Sequence, residues 1–561
     1  MFTSQDSVIR KSYQICQGYF IHRKQEYDPT RLESVERHRE KASRFFAQNL
    51  LLDGSLAYEV VQRGVSDAAQ YVVHAGVFQL KNGVSIPFHL YIPRGDNGPK
   101  PALLFPIGHY PAGKTTPEYV IMAQTLAAAG CICLIYDPIG QGERDAQPDR
   151  ELIRELKDLY TVYRHMQAGD QLYEAGQQLA AWFVAESRMA VDYLLSRADV
   201  DPARVGVVGQ SGGGTNVQYL CAVEPRLSLA IPIHCTTTYE LLLERTVGDC
   251  EQTFFGCIAN GIEMSDFYIP WAGKALCIIG GKEDFFHPDG ARQVYEEIYT
   301  TWKTLHADTS RLCFVLCDGG HVISHEVRKS VYKFVQQVFG TPDVEELSIP
   351  LEKPMCLSPE ERQKTQEAFL EEMKRRAEGG RKTLDELYIW LSKDKEMRFQ
   401  SCCDHMTEDS EQISVTGTKA TETMQLIWGK KSGKTLWLMA DTEMEPPQDA
   451  AVAEIFSDGM DAYRGHRLGY SMDAVHYYLS VLTGCPLWLQ RTAQLEKLLE
   501  PLCRTYEKIV VCSDGFLYYP TRLVKPEVKE HLVIENVKKN GCQPPSDLLC
   551  KQPEGKWAYD V

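Results

Sequence analysis

The chain reads as an α/β protein, a mostly parallel sheet covered by helices on both faces, followed by a second, smaller α/β unit. Three observations carry this. Short apolar runs alternate with helix-length segments from residue 100 to residue 339, the pattern of strands buried on both faces. The 561 residues exceed what one core ordinarily serves, so more than one domain is expected. Prolines at 342, 350, 354 and 359 mark a change of composition before a last α/β-like stretch.

Taken in order, residues 1–65 read as an N-terminal helical segment, with the charged, amphipathic stretch from Thr30 to Leu52 at its centre. Residues 66–340 read as the main domain. It opens with a hairpin, because Lys81-Asn82-Gly83 separates two β-like runs and Asn-Gly accepts the positive φ that a tight turn needs. Strands are expected at Ala102–Ile107, Cys131–Tyr136, Val205–Val208, Leu229–Ile233, Ala275–Ile279 and Leu312–Leu316. Helices are expected near Tyr119–Ala129, Gln177–Arg197, Thr215–Val223, Gly290–Leu305 and His325–Phe339. Residues 341–411 read as a Pro-containing linker with a charged helix from Glu360 to Lys395, and 412–561 as the second unit.

Composition narrows the function. Lys and Arg number 60 against 76 Asp and Glu, a formal charge of -16, which repels phosphate backbones and anionic lipid. Nucleic acid and membrane surfaces are therefore poor partners. Met1 to Ser7 lacks an apolar stretch behind a basic start, so no signal peptide is expected. No apolar run is long enough to span a bilayer. The 18 Cys follow no short repeating framework, which fits reduced thiols in a cytosol. Pairs such as Cys131/Cys133 and Cys402/Cys403 lack the spaced second pair of a structural zinc site, and neither a metal nor a cofactor is expected.

The chemistry centres on Gly209-Gln210-Ser211-Gly212-Gly213, which joins the strand Val205–Val208 to a helix. This strand–turn–helix order is that of a nucleophile elbow. Gly at 209 and 213 lets backbone segments pass close to the turn, and the Gly212 N–H at the helix start can receive a developing oxyanion. Such an elbow belongs to the α/β-hydrolase fold, in which an acid and then a His follow in chain order. Asp284 stands at the end of the strand Ala275–Ile279, and His321 at the end of Leu312–Leu316. A serine hydroxyl is a weak nucleophile until an imidazole takes its proton, and a carboxylate holds that imidazole in the right tautomer. Glu283 and Asp289 are rivals for the acid, and His325 and His287 for the base. A second oxyanion N–H should come from the loop after Ala102–Ile107, with His109 or Tyr110 as candidates.

That loop, Gly108-His109-Tyr110-Pro111-Ala112-Gly113-Lys114-Thr115, also matches the phosphate-binding pattern G-x-x-x-x-G-K-[ST], and the next strand ends at Asp137. A P-loop nucleotide triphosphatase is thus a competing reading. Against it, Pro111 removes one N–H donor, and the reading leaves Ser211, Asp284 and His321 without a role.

Four stretches make the chain resemble the acetyl xylan esterase-like, dienelactone-hydrolase-related branch of the α/β hydrolases. They are Gly108-His109 through Gly113-Lys114, Asp137-Pro138-Ile139-Gly140-Gln141-Gly142-Glu143-Arg144, the elbow through Thr215, and Asp249-Cys250-Glu251-Gln252 with Asp284-Phe285-Phe286. The resemblance implies a serine esterase that deacetylates acylated sugars, and the expected lack of a signal peptide points to small oligosaccharides or soluble esters as its substrates. Arg144 and Glu251 are candidates to line its substrate site, with a structural ion pair as the alternative role. A serine peptidase of the prolyl-oligopeptidase kind shares the Gly-rich elbow, but no series of repeated β-blades precedes it here. The last 150 residues echo the first half, with Ala462-Tyr463-Arg464-Gly465-His466-Arg467, a helix near Leu487–Leu499 and the strand Lys508–Cys512. Ser513-Asp514-Gly515-Phe516 stands where an elbow would fall, without a Gly-flanked nucleophile. This is the pattern of a degenerate, hydrolase-like half, with an unrelated small α/β domain as the alternative.

Overall fold

The computed structural model describes residues 7–52, 56–95, 98–146, 159–174, 178–243, 256–347 and 354–379. In the C-terminal part it describes 405–408, 410–416, 424–440, 447–457, 466–467, 470–471, 487–513 and 530–534, with Gly54, Ile153 and Val528 singly.

Nine strands form the main sheet. They are β1 (Tyr58–Asp67), β2 (Tyr71–Leu80), β3 (Ser85–Pro93), β4 (Lys100–Phe105), β5 (Ile132–Tyr136), β6 (Val200–Gln210), β7 (Leu229–Ile233), β8 (Ala275–Gly281) and β9 (Leu312–Cys317). Their spatial order is β1-β2-β3-β5-β4-β6-β7-β8-β9. β1, β2 and β3 form an antiparallel meander, β3 runs antiparallel to β5, and all pairs from β5 to β9 are parallel. This is an α/β-hydrolase sheet with an extra antiparallel edge strand. The six apolar runs expected as strands lie within or across β4 to β9.

The alternation of side chains explains why those runs read as continuous apolar segments. In β5, Ile132, Leu134 and Tyr136 enter one core while Cys133 and Ile135 enter the other. The helices divide the same way. On the first face lie α2 (Leu32–Leu50), α5 (Leu179–Ser196), α6 (Gly212–Val223) and α8 (Pro288–Thr304). On the second lie α3 (Pro117–Ala128) and α9 (His325–Phe339). The remaining helices are α1 (Ser7–Glu26), α4 (Leu159–Glu174) and the short α7 (Tyr239–Leu243). The chain leaves β4 toward β5 on one side and takes up β6 on the other, which makes the C-terminal ends of β4 and β6 a topological switch point. Such a switch point is where open parallel sheets bind ligands.

Two boundaries differ from the sequence reading. Residues 58–65 are not helical but belong to β1, whose residues are all half-buried or exposed and whose single neighbour is β2. An edge strand of this kind carries no clean apolar alternation to betray it. The preceding helices are part of the main domain. Phe46 stacks on Phe267 at 4.6 Å, and the Arg23 guanidinium donates to Asp266 at 2.9 Å and Glu297 at 2.6 Å. The linker is docked as well, since the Cys356 and Leu357 N–H groups donate to Glu143 Oε2 at 2.9 and 2.6 Å. Its helix, α10, spans Pro359–Gly379, and the expected remainder up to Lys395 lies outside the described residues.

The second unit begins at His405, ahead of the expected 412. Its strands are β10 (His405–Glu408), β11 (Gln412–Thr416), β12 (Met424–Lys430), β13 (Thr435–Ala440) and β14 (Ala451–Ser457). After the short pair β15 (His466–Arg467) and β16 (Tyr470–Ser471) come α11 (Leu487–Thr505), β17 (Lys508–Ser513) and β18 (Leu532–Ile534). The order β10-β11-β12-β14-β13-β17-β18 repeats β1-β2-β3-β5-β4-β6-β7, with the same antiparallel or parallel sense at every step. The residues after Ser513, where an elbow would stand, lie outside the described residues. Among the described residues no helix is long and apolar enough to cross a membrane.

Candidate active site

Ser211 follows β6 and caps α6, with φ 57° and ψ -126°. A left-handed φ is uncommon for a residue with a side chain and persists only where the surroundings enforce it. They do so here through close packing. A Cβ on Gly213 would lie 2.2 Å from the Pro106 carbonyl oxygen, and one on Gly209 would lie 2.5 Å from the Gly213 oxygen. The Ser211 N–H donates to the Ile233 carbonyl at 2.9 Å, tying the turn to the end of β7. The Gly212 N–H, a candidate oxyanion donor, stands in the first turn of α6.

Asp284 and His321 stand on the loops after β8 and β9, as the sequence order required, and the structure brings them together. His321 Nδ1 lies 3.0 Å from Asp284 Oδ1 and 3.2 Å from Oδ2. The His321 ring is flanked by Phe285 and Phe286, at 4.4 and 5.7 Å between centroids. The rivals are engaged elsewhere. His287 accepts the Asp289 N–H at the start of α8, and His325 Nδ1 meets Glu346 at 2.9 Å on the surface. Glu283 and Asp289 are exposed.

One residue of this cluster escaped the sequence reading. His234, the residue after β7, is buried and places Nδ1 2.6 Å from Asp284 Oδ2. Its signal was a His at the C-terminal end of a parallel strand, but the Ser–acid–His order has no slot for it. Burial pushes the Asp284 carboxyl upward, but hydrogen bonds and charge from His234 and His321 outweigh this and hold it below the usual carboxylate range. Two His and one carboxylate are also a transition-metal donor set. Tetrahedral zinc at bond lengths of about 2.0–2.1 Å holds its ligand atoms roughly 3.3 Å apart. The 2.6 Å separation of His234 from Asp284 is instead that of a hydrogen bond.

The loop after β4 faces the elbow and is fastened to it. Tyr119 Oη accepts the N–H of Gly108 at 3.1 Å and that of Gln210 at 2.9 Å. Gln141 Nε2, from the loop after β5, donates to the carbonyls of Gly108 and Tyr110 at 2.7 and 2.9 Å. Of the two expected loop donors, the Tyr110 N–H donates to the Gly108 carbonyl at 2.8 Å, and His109 is buried.

The phosphate-loop pattern has a different occupant. The Lys114 N–H donates to Asp137 Oδ1 at 2.6 Å, and the Glu143 N–H donates to Oδ2 at 3.0 Å. The Lys114 ammonium donates to Asp137 at 2.7 Å and also to Glu143. Gly113 leaves room for this, since a Cβ there would lie 2.2 Å from Asp137 Oδ1. The loop therefore cradles a carboxylate of its own chain. Arg144 is likewise committed. It is buried and donates to Glu186 at 2.8 Å and to the Asp137 carbonyl at 3.3 Å, the structural ion pair weighed as its alternative role. Glu251 lies outside the described residues.

No family model matches the chain. A Bacillus subtilis (strain 168) protein, YtaP, whose name provisionally calls it a hydrolase, is 24% identical over 290 residues, 49% of this chain and 90% of its own. Among solved structures, methylesterase BT1017 is 17% identical with a TM-score of 0.47, covering 69% of this chain and 80% of its own. A glucuronoyl esterase from Solibacter usitatus is 14% identical with a TM-score of 0.40, covering 54% and 92%. An acetyl xylan esterase from Bacteroides fragilis NCTC 9343, provisionally so named, is 13% identical with a TM-score of 0.42, covering 52% and 78%. By name these are hydrolases and esterases. The case for the fold rests on the strand order and not on these likenesses.

Proposed function

We propose that the chain is a serine carboxylic ester hydrolase that deacetylates acetylated carbohydrates through an acyl-enzyme on Ser211. The observation that carries this is the strained Ser211 turn at the switch point, at the same end of the sheet as the loops that carry a hydrogen-bonded Asp284–His321 pair. In this reading His321 Nε2 takes the proton from Ser211 Oγ as Oγ attacks the ester carbonyl. Asp284 holds the imidazole by Nδ1–H and balances the imidazolium that forms. The oxyanion accepts from the Gly212 N–H and from the His109 N–H. Collapse expels the alcohol, which takes the proton from His321, and water activated by the same imidazole then releases acetate.

The esterase names of the relatives support this class, and small acetylated oligosaccharides or soluble esters in a reducing cytosol are the proposed substrates. The triphosphatase reading is disfavoured, because Lys114 is sealed against Asp137 and Glu143. The test is p-nitrophenyl acetate against longer acyl chains, a peptide amide and acetylated xylan, with a fluorophosphonate label as a substrate-independent probe. Ser211→Ala should abolish turnover and labelling, and retained activity overturns the mechanism. A preference for long acyl chains overturns the acetyl assignment, and equal rates on polymer and short sugars overturn the small-substrate assignment.

A further inference from the structure

A carboxylate that orients a catalytic imidazole usually needs donors of its own, or it can swing and share its charge with solvent. Among the described residues, two donors join His321 on Asp284. The Phe286 N–H donates to Oδ1 at 3.0 Å. His234 lies 2.6 Å from Oδ2.

Three features show that this contact is built into the fold. His234 has φ 50°, one of three described non-glycine residues with positive φ, and another is Ser211. A bulky residue adopts that conformation only where its surroundings enforce it, and such strain clusters at functional sites. The His234 N–H is paired with the Ile279 carbonyl at 2.8 Å, which anchors the turn between β7 and β8 and aims the ring inward. Gly281, at the end of β8, makes room for it, since a Cβ there would lie 3.0 Å from His234 Cε1. Nε2 of His234 is buried and meets no partner among the described residues, so the Nδ1–H tautomer that donates to Asp284 is the one the geometry assigns.

We infer that His234 is a positioning residue of the active site. It clamps the Asp284 carboxylate in the orientation that meets His321, and it draws off part of the carboxylate charge. The inference rests on the Ser211–His321–Asp284 reading above. Among the described residues, the titratable groups facing Asp284 are His234 from the end of β7, His321 from the loop after β9, and Cys235 beside His234. Burial pushes the Cys235 thiol well up, so it stays neutral. Lys282 and Asp318 pair with each other at the surface.

The sign of the effect follows. Without the His234 donor, Asp284 keeps more charge to hold the His321 cation that forms in turnover. Catalysis needs the neutral imidazole at the start, so the acid limb of the rate–pH profile moves to higher pH.

The test compares wild type with His234→Gly, His234→Asn and His234→Asp. All three accept positive φ. Only Asn keeps an N–H donor near the Nδ1 position, and Asp is its isostere without one. Rates of p-nitrophenyl acetate turnover and of fluorophosphonate labelling are followed from pH 5 to 9, with Ser211→Ala alongside. His234→Gly is expected to lower kcat about tenfold with little change in KM, and to move the acid limb up by roughly half a unit to one unit. His234→Asn should restore most of both. A Gly protein with wild-type kcat and limb, or an Asn protein as impaired as Asp, overturns the inference. If His234→Gly fails to fold, the Asn and Asp pair decides alone. Activity retained in Ser211→Ala would instead sink the reading on which this rests, a failure separate from any His234 result.

Discussion

The Lys114 ammonium donates to the Asp137 carboxylate across 2.7 Å in a pair that is buried and closed on its far side by Glu143. Burial pulls the lysine downward, but the charges of Asp137 foremost, and of Glu143, hold it above its ordinary value. Through Glu143 the same cluster receives the backbone N–H groups of Cys356 and Leu357. The triad of charges thus joins the oxyanion-side loop, the loop after β5 and the linker.

Lys114→Met should therefore leave the buried Asp137 without its cation and Glu143 with only the more distant Arg362, at 3.8 Å. The expected loss is about 3–5 kcal/mol in chemical denaturation, the range for breaking a buried pair from one side. Adding ATP or GTP with magnesium should leave the wild-type melting temperature unchanged. A nucleotide-dependent rise would revive the phosphate-loop reading.

Gly213→Ala would press a Cβ to 2.2 Å from the Pro106 carbonyl oxygen, a backbone atom that cannot swing aside. Overpacking at such a point costs about 1–3 kcal/mol, and relief must come from moving the Ser211 turn. Fluorophosphonate labelling should fall far more than stability does. Labelling at the wild-type rate would show that the turn tolerates the displacement.

Tyr119→Phe keeps the ring but removes the acceptor that serves the Gly108 and Gln210 N–H groups. Each buried donor left unsatisfied costs about 1–3 kcal/mol. Both a lower Tm and slower acylation are expected, because the two amides lie in the loop after β4 and at the end of β6, on either side of the proposed oxyanion site. A change in Tm with acylation untouched would separate the tie from the chemistry.

Glu263 supplies a pH dependence. Burial pushes its carboxyl up from 4.5 to about 7 against the pull of Arg23. A folded-state pKa raised in this way contributes stability that is complete below the unfolded value of 4.5 and is lost as pH rises through about 7. Glu263→Gln retains an acceptor for the Tyr239 and Met264 N–H groups but carries no titrating proton. Urea midpoints should show the variant gaining on wild type as pH goes from 4.5 to 8, and parallel curves would contradict the assignment.

Much of the fold was legible because parallel strands buried on both faces leave continuous apolar runs, as β4 to β9 do. β1 was not legible, since an edge strand with one neighbour keeps its polar residues in solvent. The elbow, Asp284 and His321 could be placed by chain order, because each follows a strand at the same end of the sheet. His234 obeys the same strand-end rule, yet its role depends on which carboxylate it meets.

Ser211, Asp284 and His321 as a candidate set are thus the property of the sequence by itself, since glycine spacing and strand periodicity are local signals. Only the tertiary structure decided what lay between them. It set His234 against Asp284, spent the Tyr110 N–H on Gly108, and gave Arg144 to Glu186. It also closed a phosphate-like loop on Asp137. The physical reason is that a hydrogen bond or buried charge is satisfied by whichever partner folding brings within about 3 Å. His234 and Asp284, 50 positions apart, carry no mark of that meeting in their order along the chain.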